Sequence, residues 1–362
     1  MLRGRRSASG AGVTTDPNVQ QVPLDQRKQQ ILKAVVADYT RTGIPVGSAS
    51  LALHLATWSS ATIRNELATL SEVGYLIQPH TSAGRVPSDL GYRYYVDFLM
   101  DEEDVPTAVR RQIDPFFTVM PASVEEILET AATALAKAVD ALSLVTTPRA
   151  LGVRVKHLDL VNLNDTQALL VLVLEGNLVR QHALELSAPA DQATLSAIAA
   201  GLNAVVVGLN AAGMSRIPES VGPHAVLERE LLRQIIAFMA VVDAQQDTLI
   251  LHDGVRNLLR QPEFGDVDLL QQVIEVVEEE RMLAALITAA DLDHGVQIMI
   301  GRESGVAELS RCSLVLTTYR AGAERRGTIG VLGSTRMAYA QVGPRVRYVA
   351  QRVGRAVERA LS

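Results

Sequence analysis

The chain has 362 residues, 48% of them hydrophobic, more apolar material than one core usually closes around, which points to two or three domains. A net charge of −6 argues against a nucleic-acid binder taken whole, but residues 1–100 hold ten Lys/Arg against seven Asp/Glu, +3, leaving −9 for the remainder. The single cysteine, Cys312, excludes an intrachain disulfide and fits a reducing compartment, and seven scattered histidines offer no metal-ligand spacing.

Residues 1–22 are basic, small and polar, with no apolar stretch behind Arg6, and read as a disordered tail rather than a secretory leader. Three helices are predicted next. The first covers Leu24 to Arg41, with Ile31, Leu32, Val35, Val36 and Tyr39 at helical spacing, and Thr42-Gly43 stops it. Ser48 is placed as the cap of the second, whose inner face is Leu51, Ala52 and Leu55, and Ser59 as the cap of the third. Along the third, Ile63, Leu67, Leu70 and Val73 form a buried stripe, which turns Thr62, Arg64, Asn65 and Thr69 elsewhere. Gly74 closes that helix. Tyr75 to Gln78 and Arg85 to Val86 are the predicted strands of a ribbon around the turn Pro79 to Gly84, and Ser88 caps a fourth helix carrying Tyr92, Tyr95, Val96 and Leu99.

Three helices followed by a ribbon is the winged helix-turn-helix order. The polar face of the third helix has two readings: a solvated surface, or a DNA reader in which Arg forks onto guanine and Asn pairs with adenine. Four ordered motifs bear on the choice: Val46-Gly47-Ser48, Ser60-Ala61-Thr62-Ile63-Arg64-Asn65, Pro79-His80-Thr81-Ser82-Ala83-Gly84-Arg85, and Gly91-Tyr92-Arg93-Tyr94-Tyr95-Val96-Asp97. Together they resemble the N-terminal domain of the heat-inducible transcription repressor HrcA family. The resemblance implies a winged helix that binds an inverted-repeat operator upstream of chaperone operons. It places Ser60, Thr62, Arg64 and Asn65 on the groove-facing helix and counts Ser48 among the DNA-binding residues. His80, Thr81, Ser82, Gly84 and Arg85 then form the wing, with Arg85 free to enter a minor groove or pair with phosphate.

The acidic run Asp101 to Val105 before Pro106 marks a boundary, giving a winged-helix domain over 23–104. Ser123 to Leu144 is predicted helical, followed by strands over 153–163, 168–174 and 178–186. Residues 192–215 carry no charge. Gly201, Gly208, Gly213, Asn203 and Asn210 within them argue for a buried helix, at a subunit interface, over a membrane span. Helices over 227–242, 253–260 and 269–289 come next, then strands over 296–300, 313–319 and 327–332 and a last helix over 345–361.

That succession resembles one α/β domain interrupted by an insertion, an α+β multidomain chain in all. The family resemblance implies a GAF-like domain in two parts, 105–189 and 271–362, around an inserted dimerisation domain over 190–270. The stretch Gly330-Val331-Leu332-Gly333-Ser334-Thr335-Arg336-Met337-Ala338-Tyr339 resembles a family signature that usually has Pro at 334 and Asp at 338.

Catalytic signatures are missing. There is no P-loop, no dinucleotide fingerprint and no nucleophile elbow, and Asp291, Asp293 and His294 read as a polar turn rather than a metal site. The expectation is a cytoplasmic dimeric repressor, not an enzyme, with no cofactor, no metal and no membrane. Its expected partners are inverted-repeat operator DNA, a second copy of the chain and, by resemblance, the chaperonin as modulator. Two rivals stay open: a regulator whose GAF-like domain binds a small molecule, and an enzyme with an appended DNA module.

Overall fold

The computed structural model describes residues 23–80, 83–118, 123–150, 152–175, 178–218, 224–244, 249–290, 292, 295–322 and 325–361. The expected tail 1–22 lies outside them, as do Thr81 and Ser82 of the ribbon tip and Asp291, Asp293 and His294.

Local chemistry accounts for the first elements. Helix α1 (Gln26–Thr42) starts where the Asp25 carboxylate accepts the Lys28 amide at 2.9 Å, and it stops at Gly43, left-handed at φ 67°. In α2 (Ser48–His54) the expectation for Ser48 is corrected. Gly47 occupies the cap, Ser48 is the first helical residue, and its hydroxyl lies 3.0 Å from Ser60 Oγ instead of serving its own helix. Helix α3 (Ser60–Glu72) is capped by Ser59, whose Oγ accepts the Thr62 amide at 3.2 Å, and it buries Ile63, Leu67 and Leu70. Strands β1 (Leu76–Ile77) and β2 (Val86–Pro87) pair antiparallel, and Ser88 caps α4 (Asp89–Tyr94) by accepting from Gly91. Gly91 sits against the Tyr75 carbonyl, leaving no room for a Cβ. These elements make the head of the molecule.

After a linker come α5 (Thr107–Ile113), α6 (Val124–Val139) and strand β3 (Leu142–Thr146). The predicted helix to Leu144 is thereby shortened. Asp140 takes a left-handed conformation, φ 52°, that reverses the chain, and residues 142–146 become a fully buried strand.

A second compact unit, Arg149–Asp247, follows. It holds β4 (Arg149–Ala150), β5 (Val155–Asn164), β6 (Gln167–Leu174), β7 (Leu178–Glu185), α7 (Gln192–Val206), α8 (Ala211–Met214) and α9 (Ala225–Ala244). Strands β5, β6 and β7 form an antiparallel sheet whose inner face, with Leu158, Leu160, Leu170 and Leu172, packs on Leu195, Ile198 and Leu202 of α7 and Leu231, Ile235 and Met239 of α9. Asn203 fastens α7 to β5, accepting from the Leu158 amide at 2.9 Å and donating to its carbonyl at 2.7 Å. The unit differs from the expected insertion over 190–270. Hydrophobic contact, not helix content, groups β5 to β7 with α7 and α9, so the division falls near residues 149 and 247. No described helix is long and apolar enough to cross a membrane.

The chain then gives β8 (Ile250–Asp253), α10 (Val255–Leu258), α11 (Val267–Glu278), α12 (Glu280–Ala289), β9 (Gln297–Ile300), β10 (Cys312–Ala321), β11 (Arg325–Ser334) and α13 (Tyr339–Leu361). One antiparallel sheet, in the order β8-β3-β11-β10-β9, joins residues from before and after the second unit. Alternation sends Val145, Val315, Ile329 and Val331 to a face covered by α6 and α13, and Leu142, Leu144, Leu314, Leu316 and Leu332 to a face covered by α11 and α12. The first of these cores is continuous with the core of the head, where Ile31, Val35, Ile63, Leu70 and Tyr92 belong to the same cluster.

Candidate nucleic-acid interface

The outward side of α3 is defined by what its inward side buries. With Ile63, Leu67 and Leu70 enclosed, Ala61, Arg64 and Asn65 are exposed, and Thr62, Ala68 and Thr69 are half-buried beside them. Arg64 forms no hydrogen bond or ion pair among the described residues, nor does the Asn65 side chain. The Asn65 carbonyl accepts from Thr69 Oγ1. The two alanines keep the surface low around them, so a guanidinium and an amide stand out from a flat helix face.

The nearby acid is turned away. Glu66 reaches back to α1, where Arg27 Nη1 and Lys28 Nζ each lie 3.3 Å from its carboxylate, and its side chain is 14% exposed. That pairing neutralises the carboxylate nearest Arg64 and leaves Arg64 the charged side chain in the first turns of the outward face, with the exposed Glu72 at its far end. At the start of α3 the hydroxyls of Ser59 and Thr62 lie 3.0 Å apart. The Ser48 and Ser60 hydroxyls, also 3.0 Å apart, form a second pair between α2 and α3. Free amides and the positive end of the helix dipole converge here, beside four hydroxyls able to donate to an anion.

The ribbon is less extended than its sequence suggests. His80 is exposed, and its carbonyl accepts the Ala83 amide at 2.8 Å across the turn. Gly84 and Arg85 sit at the base, because Arg85 and Val46 exchange backbone hydrogen bonds of 2.8 Å in each direction. A Cβ on Gly84 would strike the Val46 backbone, so glycine permits this close approach. Arg85 is half-buried, and its Nε is enclosed without an acceptor. The structure therefore brings Ser48, Ser60, Thr62, Arg64 and Asn65 together at α2 and α3, with His80, Gly84 and Arg85 on the adjoining ribbon.

Two arginines carry more of the architecture than periodicity indicated. Arg93 is 3% exposed in α4; it donates from Nε to Glu303 at 2.8 Å and from Nη2 to the Ile298 carbonyl at 2.6 Å. Arg336 binds Glu263 and donates to the Thr40 carbonyl at 2.8 Å. Both fall in motifs visible in the sequence, but their partners are distant in the chain, and no local spacing announces them.

Comparison with known proteins completes the picture. Residues 125–342 match the family model described as the HrcA protein C-terminal domain. The heat-inducible transcription repressor HrcA of Herpetosiphon aurantiacus is 37% identical over 331 residues, covering 90% of this chain and 93% of that protein. Its counterpart in Thermomicrobium roseum is 37% identical over 330 residues, covering 91% and 94%. A crystal structure of a hypothetical protein superposes with a TM-score of 0.54 at 22% identity, covering 93% of this chain and 98% of that one, a likeness of fold alone. A match of this extent and identity, reaching across head and body alike, makes the chain a member of the heat-inducible transcription repressor HrcA family, a family of repressors and not of enzymes.

Proposed function

We propose that the head is a winged helix-turn-helix that places α3 in the major groove, and that the chain represses heat-shock operons by binding an inverted-repeat operator as a dimer. The observation that carries this is the outward face of α3: Arg64 and Asn65 stand exposed and unpaired while Glu66 is held by Arg27 and Lys28. Those two side chains are the ones suited to bidentate contact with guanine and adenine. One short helix touches too few bases for selectivity, so two copies about 34 Å apart, or a multiple of that spacing, read the repeat. Ser48, Ser60 and Thr62 hold phosphate at the start of α3, and His80 to Arg85 form the wing.

The remaining chain is a GAF-like domain interrupted by an inserted dimerisation domain. Heat stress removes the active form when unfolded protein occupies the chaperonin that otherwise maintains it. Selection from random DNA by the purified full-length protein tests the reading, with an enriched inverted repeat expected. On the selected site Arg64→Ala costs about 1–3 kcal/mol, with a much smaller loss on random DNA. Failure to enrich any repeat would refute operator recognition, and equal losses on both DNAs would make Arg64 a phosphate anchor rather than a base reader.

A further inference from the structure

At the start of α13 and the turn before it the head is fastened to the body, the sheet and helices of the same compact unit, by contacts of four kinds, in addition to the ties of Arg93 to Glu303 and the Ile298 carbonyl. The first is apolar. Tyr92 of α4 meets Tyr339 edge to face with ring centres 5.8 Å apart, inside the core that runs unbroken from α1 to Val342 and Val346. The second is a cap supplied from far along the chain. The last carbonyls of a helix lack internal donors. In α1 the Gly43 amide takes the Tyr39 carbonyl and the Thr42 hydroxyl takes the Asp38 carbonyl, each at 2.8 Å, while Thr40 O receives Arg336 Nη1, also at 2.8 Å. Glu263 holds the same guanidinium through Nε and Nη2, and the pair is largely enclosed, 17% and 22% exposed.

The third contact follows from a proline. Pro344 has no N–H, so the Ala340 carbonyl four residues earlier loses its helical donor. The Glu103 amide fills that vacancy at 3.0 Å. The fourth is ionic: Arg347 grips Glu102 with two parallel bonds of 2.9 and 3.0 Å. The acidic linker between head and body is thus pinned to α13 by one main-chain bond and one fork.

We propose that the first turns of α13, with Arg336 as the positioning residue, set the orientation of the head on the body and thereby the operator spacing the dimer accepts. Arg336 is distant in the chain from α3 and does not belong to the DNA-facing set. It acts through α1, holding the helix against which α3 packs. The consequence for DNA rests on the winged-helix reading above, whereas the clamp itself does not.

The test uses the full chain and two variants. In R336M the apolar stem stays and the fork is lost. In P344A a backbone N–H returns, which lets Ala340 O close its own helical bond and release Glu103. Without DNA, hydrogen exchange at Gly43 in R336M and at Glu103 in P344A should quicken by about tenfold, with β10 and the middle of α13 unchanged. With DNA, the wild type should discriminate by about tenfold against a selected repeat whose spacer is altered by a few base pairs, while R336M binds both spacers within about threefold and keeps its affinity for a single half-site. Mere destabilisation would weaken all sites together. Unchanged exchange at the junction in P344A, which does not weaken the helix, together with an intact spacer preference in R336M, would overturn the proposal. Should the wild type enrich no repeat, the operator reading fails, and the exchange measurements still decide the clamp.

Discussion

Cys312 shows how far burial alone alters the chemistry of one residue. It opens β10 in the core under α11 and α12 and is fully enclosed; desolvation pushes its thiol from about 9.0 up to about 12. The thiolate is the nucleophile, so the native protein should resist iodoacetamide at pH 8 and react on unfolding, which mass spectrometry would read directly. The sign of the pH effect follows. Below pH 9 the thiol is protonated in both states and its stability contribution is complete; between pH 9 and about 12 the unfolded chain releases the proton first, so stability is lost as pH rises. Burial raises Tyr319 and Tyr339 in the same direction, so the thiol's share is the part of the alkaline decline that Cys312→Ala lacks. Neighbours decide such fates for arginines too. Arg64 and Arg93 both sit on helical segments; the buried stripe of α3 turns Arg64 to solvent, whereas only the fold shows that Arg93 is enclosed and meets Glu303.

Among the elements, the passage from the end of β11 to the start of α13 carries the two departures from the family signature, and each has a local consequence. At 334 the Ser amide donates to Gln261 Oε1 at 3.0 Å, a bond that proline could not make. Ala338 stands in the position before Tyr339 where an N-cap belongs; its carbonyl accepts the Gln341 and Val342 amides, but it has no side-chain oxygen for the free donors. Ala338→Asp should therefore stabilise the protein by about 0.5–2 kcal/mol, read as a rise in the urea midpoint at unchanged slope. An unchanged midpoint would mean that another group already serves those amides. Element boundaries were harder to read than element types. Leu142 continues the helical stripe of Leu135 and Val139 and equally starts a strand alternation with Leu144, and it is Asp140 in the left-handed region that ends α6 and gives both leucines to the sheet. The predicted helix over 269–289 is broken at Glu279, ψ 86°, without any glycine or proline to mark it.

At the scale of the whole molecule, the head does not close a core of its own. Ile31, Val35, Ile63 and Tyr92 are continuous with Tyr339, Val342 and Val346, and Arg93 and Arg336 add polar ties across the same junction. Domains joined only by a linker unfold independently, whereas a shared core couples them. Calorimetry should accordingly show no separate low-temperature transition for the head, and the amides of α1 and α3 should exchange through the same opening as those of α13. A head that melts first would show that the shared core contributes little to its stability.

Local physics determined what the sequence by itself could tell. The Ser59 and Ser88 caps, the stripe of α3, the ribbon and the existence of strands β5 to β7 and β9 to β11 are each encoded within a few residues, because caps and periodicity act at that range. The outward face of α3 around Arg64 was legible for the same reason: a residue between buried neighbours on a helix must point outward. Tertiary structure alone decided which strands share a sheet, where the second unit begins and ends, and which arginines are clamps. Those outcomes rest on pairings such as Arg93 with Glu303 and Ile329 with Val145, far apart in the chain, and hydrophobic patterning says that a face must be covered without saying by what.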